Sequence, residues 1–293
     1  MRITAIAPWF GAKRNLAGMI IAELGHHRCY WEPFCGSMAV LLAKPRAVME
    51  TVNDLNGDLV NLAMVIRDSS LGAQLYRRLR RTLMHQELFC QAAASWRLAG
   101  RAEPGVTGDI QRAYEFFLCS WLGRNGVAGT ESYNQGFCAR YSDNGGHGAT
   151  RLRHACQSIP AWRRRLRNVT ILCKDGLEIC ERIADEDQTA IYCDPPYLVN
   201  ASRYVHDFEP ADHARLAAAL ARFRKARVVV SYYEHPDLET LYPGWTRVSI
   251  EVSKSLANAN LTGKRGLKAT EVLLINGPSY TRHFENPLLE GCR

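Results

Sequence analysis

The chain has 293 residues, of which 47% are hydrophobic and 23% are charged, as in an ordinary soluble globular protein with one large domain or two. Its 37 basic and 29 acidic residues give a net charge of +8, which favours a polyanionic partner such as nucleic acid. Neither a secretion signal nor an apolar run of about 18 residues is present, so we expect a cytoplasmic protein that does not enter membranes.

The ten cysteines include no C-x-x-C pair and stand in apolar surroundings, as Cys29, Cys173 and Cys193 do. Protein zinc sites use closely spaced cysteines and histidines. The pattern therefore predicts buried free thiols in a reducing compartment, and no bound metal.

The first sixty residues predict alternating helices and strands. A helical segment over 12–25 ends at Gly25, which suits a helix C-cap, and a short helix is expected over 37–44. Apolar segments over 28–34 and 47–54 predict the first two strands. The chain therefore begins as an α/β unit.

From about residue 62 to residue 167 the sequence changes character. Arg-rich helical segments such as LYRRLRRTLMHQELF alternate with Gly- and Asn-rich stretches such as GRNGVAGTESYNQG. Strand alternation does not persist in this part of the chain. We interpret 63–167 as an inserted, mainly helical domain.

The α/β pattern returns after residue 168, where an amphipathic helix is expected over 211–226. Strands that alternate with helices predict a doubly wound, mostly parallel sheet, whose ligands bind beyond the carboxyl ends of the strands. The α/β domain then comprises 1–62 and 168–278, followed by a C-terminal tail over 279–293. The later strands are predicted over 168–174, 189–193, 226–233, 246–252 and 271–276.

The sequence EPFCGS, from Glu32 to Ser37, joins the first predicted strand to the next helix. Gly36 lets backbone amides approach a ligand closely, and the helix N-terminus favours an anionic group. One glycine is present rather than three, so the dinucleotide-binding fingerprint is not matched. A plain turn between a strand and a helix is the alternative interpretation.

Acidic residues follow the next two predicted strands. Asp54 is placed to accept hydrogen bonds from the hydroxyls of a ribose, or else to cap the following helix. Asp175 and Gly176 are placed to read the edge of an adenine ring, although a simple Asp-Gly turn also accounts for them. Together with the EPFCGS loop, these residues favour a nucleoside site.

A buried strand ends at Asp194, Pro195, Pro196 and Tyr197. Two prolines cannot continue a strand, and at roughly 5% usage of each residue type the tetrapeptide is expected by chance in about one chain in a thousand. The Asp194 carboxylate and the Pro195 carbonyl can both accept hydrogen bonds from an exocyclic amine, and Tyr197 offers a ring on which a base can stack. Two acceptors would localise the lone pair of the amine and make it a nucleophile, without a metal or a covalent intermediate.

The order of PWFGAKR, EPFCGSMAV, NDLNGD, the helical insert and IYCDPPYL resembles the Dam-like alpha group of S-adenosylmethionine-dependent DNA adenine-N6 methyltransferases, especially orphan enzymes of phages and prophages. The resemblance covers nearly the whole chain, although Ala12 and Met38 stand where the family motifs usually have glycine. It implies a Rossmann-like class I methyltransferase fold, in which 1–62 and 168–278 form the catalytic domain that binds the cofactor S-adenosylmethionine and the inserted helical domain over 63–167 recognises the DNA target. It also implies site-specific methylation of a flipped-out adenine in double-stranded DNA without an obligate protein partner. The catalytic residues that it implies are Asp194, Pro195, Pro196 and Tyr197. The cofactor-binding residues that it implies are Trp9, Lys13, Glu32, Phe34, Gly36, Asp54, Asp175 and Gly176.

Basic segments are candidate DNA contacts, because arginine and lysine bind phosphates. The segments WRRRLR and TGKRGLK are basic, and LGRNGVAGT resembles a recurring part of the family's insert. A solvated surface is the alternative for each of them. The candidate residues are Arg124, Asn125, Arg163, Arg164, Lys264 and Arg265.

Three alternatives stay open at the level of the sequence. A cytosine-N4 methyltransferase usually has serine at the position of Asp194, and no residue excludes an RNA adenine methyltransferase. A catalytically inactive DNA-binding relative is disfavoured because the site residues are intact. Tyr232 and Tyr233, which follow a later strand, either line the base pocket or pack in the core.

Overall fold

The computed structural model describes residues 5–9, 13–100, 102, 105, 107–123, 136–139, 147–198, 208–253 and 268–281. Within these ranges a seven-stranded sheet carries helices on both faces, and a short 3₁₀ helix spans Lys13–Asn15. The strands are β1 (Cys29–Glu32), β2 (Met49–Asn53), β3 (Thr170–Leu172), β4 (Thr189–Cys193), β5 (Arg227–Tyr233), β6 (Thr246–Ser253) and β7 (Lys268–Ile275). The helices are α1 (Ala17–Leu24), α2 (Ala39–Ala43), α3 (Gly57–Arg67), α4 (Ser69–Arg80), α5 (Gln86–Leu98), α6 (Ile110–Leu122), α7 (Gly148–Leu166), α8 (Gly176–Arg182), α9 (Pro210–Ala221) and α10 (Asp237–Leu241).

The strand order is β3-β2-β1-β4-β5-β7-β6, and the first five strands are parallel. Strand β1 lies between β2 and β4, with Trp31 opposite both Thr51 and Ile191. Strand β7 runs antiparallel to both β5 and β6. The predicted doubly wound, mostly parallel sheet is confirmed. Its strand order reverses between β1 and β4, where such folds form a ligand crevice.

Side chains of the central strands alternate between two buried clusters. On β4, Ala190 and Tyr192 join one cluster, whereas Ile191 and Cys193 join the other. This pattern explains the continuous apolar run of the strand, because both faces of the sheet are covered. The first cluster continues into the helices between β2 and β3 through residues such as Phe116 of α6.

Several predicted element boundaries change in the structure. The segment 75–89, predicted to be helical throughout, is split between α4 and α5, and His85 caps α5 by accepting the Glu87 amide. The helix predicted over 211–226 ends at Ala221, and the amides of 224–226 instead donate to the Asp185 carboxylate. Gly25 ends α1 with φ +62°, as predicted. The predicted domain boundary after residue 62 falls inside α3, and the division into domains stays a prediction.

Helix α7 runs from the carboxyl edge of the parallel strands, where they end, to the amino edge, where they begin. Near its start the Arg151 guanidinium donates to the carbonyl of Trp121, whose indole donates to the carbonyl of Ile6. The Ile6 amide binds the loop that follows β1 at the carboxyl edge. Near its end Arg165 donates two hydrogen bonds to Glu50, the second residue of β2. In the described part of the chain, no helix is long and apolar enough to cross a membrane.

Candidate active site

A cavity opens at the carboxyl edge, where β1 and β4 are neighbours. Its empty volume, which includes the open mouth, is about 880 Å³. All eight predicted cofactor-binding residues line it, together with Asp194 and Pro196. The fold therefore brings residues from the ends of β1, β2, β3 and β4 into one space.

Asp54 joins the loop after β1 to the loop after β2. One of its carboxylate oxygens accepts the Gly36 amide at 2.8 Å, and the other accepts the Asn56 amide at 2.9 Å. Asn56, rather than Asp54, caps α3 by accepting the Leu59 amide. Removal from water raises the pKa of Asp54 to about 6, although both hydrogen bonds act in the opposite direction. Asp54 also lines the cavity, and each of its oxygens has a further lone pair.

At two positions in the cavity wall, close contacts leave no room for a side chain and so require glycine. Gly36 has φ +44°, and a Cβ there would lie 2.9 Å from the indole nitrogen of Trp9. A Cβ on Gly176 would lie 2.3 Å from the ring of Phe34. Phe34 also meets Phe208 edge to face, with ring centroids 5.6 Å apart. Aromatic rings thus lie directly against the glycine backbone and form apolar walls. Phe208 was not predicted, because no strand end marks it.

Asp175 caps α8. One of its oxygens accepts the Leu177 amide at 2.8 Å, and the other lies 3.8 Å from the Arg215 guanidinium. The cap therefore accounts for the conformation of Asp175, which the sequence did not predict as a helix cap. A role in reading an adenine edge stays a prediction.

The Asp194 carboxylate lies just beyond the end of β4, and three donor groups of the described residues lie within hydrogen-bonding distance of it. The Lys13 ammonium is 2.9 Å from its Oδ2, while the Ser231 and Tyr197 hydroxyls are 2.7 and 3.2 Å from its Oδ1. The Tyr192 hydroxyl, which sequence reasoning missed, is 2.9 Å from Ser231 Oγ. Four elements of the fold therefore orient a single carboxylate.

A second carboxylate, Glu271 of β7, shares two of these donors. Its Oε1 lies 2.6 Å from the Tyr197 hydroxyl and 3.1 Å from the Lys13 ammonium. Glu271 is only 5% exposed. Its partners are distant in the sequence, so no local motif marks this residue.

The Tyr197 ring is packed rather than open. It is 4% exposed, the Lys13 ammonium lies 4.9 Å from its centroid, and the Tyr233 ring meets it edge on at 4.7 Å. Burial, together with the neighbouring carboxylates, raises the pKa of the Tyr197 hydroxyl well above its ordinary value, so the hydroxyl keeps its proton. Stacking of a base on this ring stays a prediction. Tyr232 belongs to the core and its hydroxyl contacts His213 at 3.0 Å.

The cavity has an excess of acidic groups. Glu32 is 2% exposed, and the Tyr30 hydroxyl donates to it at 2.9 Å. Desolvation raises the pKa of Glu32 to about 8, and the charge of Asp194 acts in the same direction. Among the described residues, the lining contains one lysine and four carboxyl groups, from Glu32, Asp54, Asp175 and Asp194. Such a cavity suits a cationic ligand and disfavours a phosphate.

The cysteines and the expected lack of a metal can be compared with the described residues only. The nine described cysteines are free, and Cys90 is exposed, whereas the prediction was of buried thiols. No group of three or more potential ligands from histidine, cysteine, aspartate and glutamate is found in the described ranges.

The predicted DNA contacts on α7 lie away from the cavity. The carbonyl of Arg164 accepts a hydrogen bond from Arg46, which stands just before β2 at the amino edge. A five-residue strand spans about 16 Å, so Arg163 and Arg164 lie roughly that far below the carboxyl edge. Their position gives the predicted contact no support, and it stays a prediction. The other four predicted contacts lie outside the described residues: Arg124, Asn125, Lys264 and Arg265.

A different basic groove lies on α4 and is lined by Gln74, Arg77, Arg78 and Arg81. Arg78 is held in place, because it donates to Gln111 at 2.6 Å and its guanidinium stacks 3.6 Å from the centroid of the Tyr114 ring. We call this surface the α4 groove. The sequence RRLRR marks it, although the pattern of that sequence predicts only a helix.

The α4 groove lies towards the carboxyl edge of the sheet. The Cys156 thiol of α7 is 3.9 Å from the Leu79 carbonyl of α4, and Met84 lies against Gly148 at the start of α7. The end of α4 therefore packs beside the first half of α7, which is the half nearer the carboxyl edge.

Comparison with known proteins gives a family match. A family model described as D12 class N6 adenine-specific DNA methyltransferase matches residues 9–256. The retron Ec67 DNA adenine methylase of Escherichia coli is 24% identical over 281 residues, which cover 94% of this chain and 92% of that protein.

Two solved structures are also similar. Precorrin 8w decarboxylase of Methanobacterium thermoautotrophicum is 12% identical, with 90% of this chain and 89% of that chain covered and a TM-score of 0.36. The rRNA methyltransferase aviRa of Streptomyces viridochromogenes is 13% identical, with 89% and 84% covered and a TM-score of 0.38. The family model and the curated relative, rather than these structures, bear on the activity.

Proposed function

The chain belongs to the family of D12 class N6 adenine-specific DNA methyltransferases, and we propose that its carboxyl-edge cavity is the active site. The enzyme methylates the exocyclic N6 amine of adenine in DNA. The family match favours this activity over the cytosine-N4 and RNA alternatives. The observation that carries the site proposal is the shared cavity, in which the Asp194 carboxylate lies beside a nucleoside-sized space lined by Asp54 and Phe34.

We propose S-adenosylmethionine as the methyl donor, because the residues present fit it. When bound, it supplies an activated methyl group on a positively charged sulfur. The acidic lining suits a cation, and Asp54 has lone pairs for the hydroxyls of a ribose. The close approach of the Phe34 ring to Gly176 gives the cavity a flat apolar wall that suits a purine. Trp9, Lys13 and Glu32 complete the proposed cofactor site.

Asp194 is proposed to bind the target amine. Its carboxylate accepts an N–H of the amine and so orients the nitrogen lone pair. The new C–N bond would form as the bond between the methyl carbon and the positively charged sulfur breaks, with its electron pair left on the sulfur. The nitrogen then carries one proton too many, which the same carboxylate can accept and pass to water. Ser231 and Lys13 fix the carboxylate, while the chain stiffened by Pro195 and Pro196 fixes its backbone.

The adenine is proposed to be flipped out of the duplex at a specific sequence. A base that is paired within a helix cannot place its amine against Asp194 inside a cavity, so the nucleotide must rotate out of the stack. The unpairing costs a few kcal/mol, which contacts in the cavity must offset. The partner is therefore double-stranded DNA that approaches the carboxyl edge.

The α4 groove is proposed to bind the phosphate backbone of that duplex. It lies towards the carboxyl edge, and Arg78 is preorganised by Gln111 and Tyr114. Arg77 and Arg81 are four residues apart on α4 and its end, so they extend on the same side. Phosphate contacts position a duplex without reading its sequence.

The proposed function is tested by methyl transfer from labelled S-adenosylmethionine to unmethylated DNA, followed by base-resolved detection of the product. We expect N6-methyladenine within one short sequence context, and a rate of labelling at least about 100-fold lower when Asp194→Ala replaces the wild type. Transfer to cytosine, or to RNA in preference to DNA, would contradict the proposal. So would a folded wild-type protein that transfers no methyl group.

A further inference from the structure

We propose that Glu271 is a positioning residue for methyl transfer. It holds the Lys13 ammonium and the Tyr197 hydroxyl, and so keeps an acceptor of the Asp194 carboxylate free for the adenine amine. The inference rests on the proposed function of the cavity. Glu271 is not among the described residues that line the cavity, so it acts through its neighbours.

The first support is the placement of a buried charge. Glu271 belongs to β7, opposite Tyr233 of β5, and is 5% exposed. A buried carboxylate is costly unless it is paired and hydrogen-bonded. Among the described residues Glu271 is bound by two groups, which both belong to the proposed site: the Tyr197 hydroxyl at 2.6 Å and the Lys13 ammonium at 3.1 Å.

The second support comes from counting hydrogen bonds at Asp194. A carboxylate offers about four lone-pair sites, and three donors surround this one. Tyr197 has a single hydroxyl proton, and its shorter contact, 2.6 Å against 3.2 Å, assigns that proton to Glu271 rather than to Asp194. The Lys13 ammonium is likewise shared between the two carboxylates. Without Glu271 both donors would turn to Asp194 and compete there with the amine.

The third support is the net charge of the group formed by Lys13, Asp194 and Glu271. One ammonium and two carboxylates leave one negative charge in excess. The amine nitrogen becomes positively charged as it is methylated, and fixed negative charge nearby stabilises that change. A neutral residue in place of Glu271 would leave a balanced Lys13–Asp194 pair, which stabilises the positive charge less.

The test compares Glu271→Gln with Glu239→Gln, a matched change at an exposed carboxylate of α10. With saturating DNA and S-adenosylmethionine, kcat of Glu271→Gln should fall about 10–100-fold, while kcat of the control stays unchanged. The Kd for S-adenosylhomocysteine, measured by calorimetry, should stay within about threefold, because Glu271 does not line the cavity. A loss of structure alone would weaken both quantities together.

Two further variants make the inference specific. In a Tyr197→Phe background the effect of Glu271→Gln should be at least about threefold smaller, because one of its two partners has gone. Glu271→Asp keeps the charge on a shorter side chain and should restore part of the lost kcat. If Glu271→Gln does not fold, Glu271→Asp is measured alone, and its kcat should be about threefold below the wild type.

The inference and the proposed function fail in different ways. A wild-type protein that does not methylate DNA would overturn the proposed function. An active wild type with Glu271→Gln within about twofold of its kcat would overturn only the role of Glu271. Equal effects of Glu271→Gln in the wild-type and Tyr197→Phe backgrounds would also overturn that role.

Discussion

Two buried clusters of charged side chains lie at opposite edges of the same sheet. The carboxyl-edge cluster consists of Lys13, Asp194 and Glu271, and the amino-edge cluster consists of Lys44, Glu50 and Arg165. Each combines a lysine with at least one carboxylate. The first has an excess of one negative charge, whereas the second has an excess of one positive charge.

The clusters differ in how completely their carboxylates are used. Glu50 accepts hydrogen bonds from Lys44, from the Ala47 amide and twice from Arg165. Although burial acts in the opposite direction, these bonds hold the pKa of Glu50 below its ordinary value. By contrast, the Asp194 side chain is 21% exposed to the cavity and shares its donors with a second carboxylate. A saturated cluster joins helix to sheet, whereas an incompletely saturated one can receive a substrate.

Asp194→Ala should give the largest change in activity. Removing the acceptor for the target amine should lower the methyl-transfer rate about 10²–10⁴-fold. Lys13 keeps Glu271 as a partner, so the melting temperature and the affinity for S-adenosylhomocysteine should change little. Single-turnover transfer of labelled methyl groups, together with thermal melting, checks both expectations. Substantial remaining activity would contradict the role of the carboxylate.

Glu50→Gln should show the opposite pattern. It leaves two buried cations without their carboxylate, which should lower the free energy of unfolding by about 3–5 kcal/mol. Denaturant unfolding measures this change, and the methyl-transfer rate of the remaining folded protein should be near that of the wild type. Glu181→Gln, which removes a surface partner of Arg215, is the control and should leave stability almost unchanged. A Glu50→Gln variant that is as stable as the wild type but inactive would contradict the view that the amino-edge cluster stabilises the fold and only the carboxyl-edge cluster serves the reaction.

Arginine variants test which edge faces DNA. Arg77→Gln combined with Arg81→Gln in the α4 groove should weaken duplex binding about tenfold and reduce the slope of log affinity against log salt by about 2. Arg163→Gln combined with Arg164→Gln removes the same charge at the amino edge and should have little effect. Fluorescence anisotropy over a range of salt concentrations measures both. The reverse outcome would favour DNA contact through Arg163 and Arg164 of α7.

The cavity loops were predictable because a parallel sheet brings strand ends together. EPFCGS, Asp54, Asp175 and the sequence from Asp194 to Tyr197 each follow a predicted parallel strand, so they meet at one edge. The same rule does not predict Glu271 as a residue of this edge. Strand β7 is antiparallel, so the residues near its beginning, rather than its end, lie at that edge.

The sequence carries two further signals about this arrangement. Glu271 is an isolated charge at the start of the apolar sequence EVLLIN, and a charge on a buried strand needs a partner. The segment WRRRLR directly precedes β3, so its end had to lie where that parallel strand begins. The identities of the partners could not be deduced, because pairs such as Tyr197 and Glu271 meet only after the strand order is known.

Asp54 offers the mildest test, through pH. The folded-state pKa of Asp54 is about 6, above its ordinary value of 3.8, so its ionisation lowers the stability of the fold as the pH rises through 6. Glu50 behaves in the opposite way. Its folded-state pKa is lowered, so it contributes stability that is lost only as the pH falls through that pKa. Between pH 7.5 and pH 5.5, Asp54 should therefore protonate while the amino-edge cluster stays ionised. If hydroxyl donors of the cofactor bind the carboxylate form, the affinity for S-adenosylhomocysteine should fall about fourfold at pH 5.5, with the protein still folded.

The variant Asp54→Asn separates the pH dependence due to Asp54 from any that is due to Glu32. The pKa of Glu32 is about 8, so binding of a ligand between pH 5.5 and pH 7.5 can also release the proton of this carboxyl group. The variant should bind more weakly at both pH values, since an amide offers one acceptor oxygen in place of two. It should also lose the part of the pH dependence that belongs to Asp54, whereas any part due to Glu32 remains. Calorimetry at the two pH values gives the ratio of affinities for each protein. An identical ratio in the wild type and in Asp54→Asn would mean that the ligand does not bind the Asp54 carboxylate, and the ribose would have to be held elsewhere in the cavity.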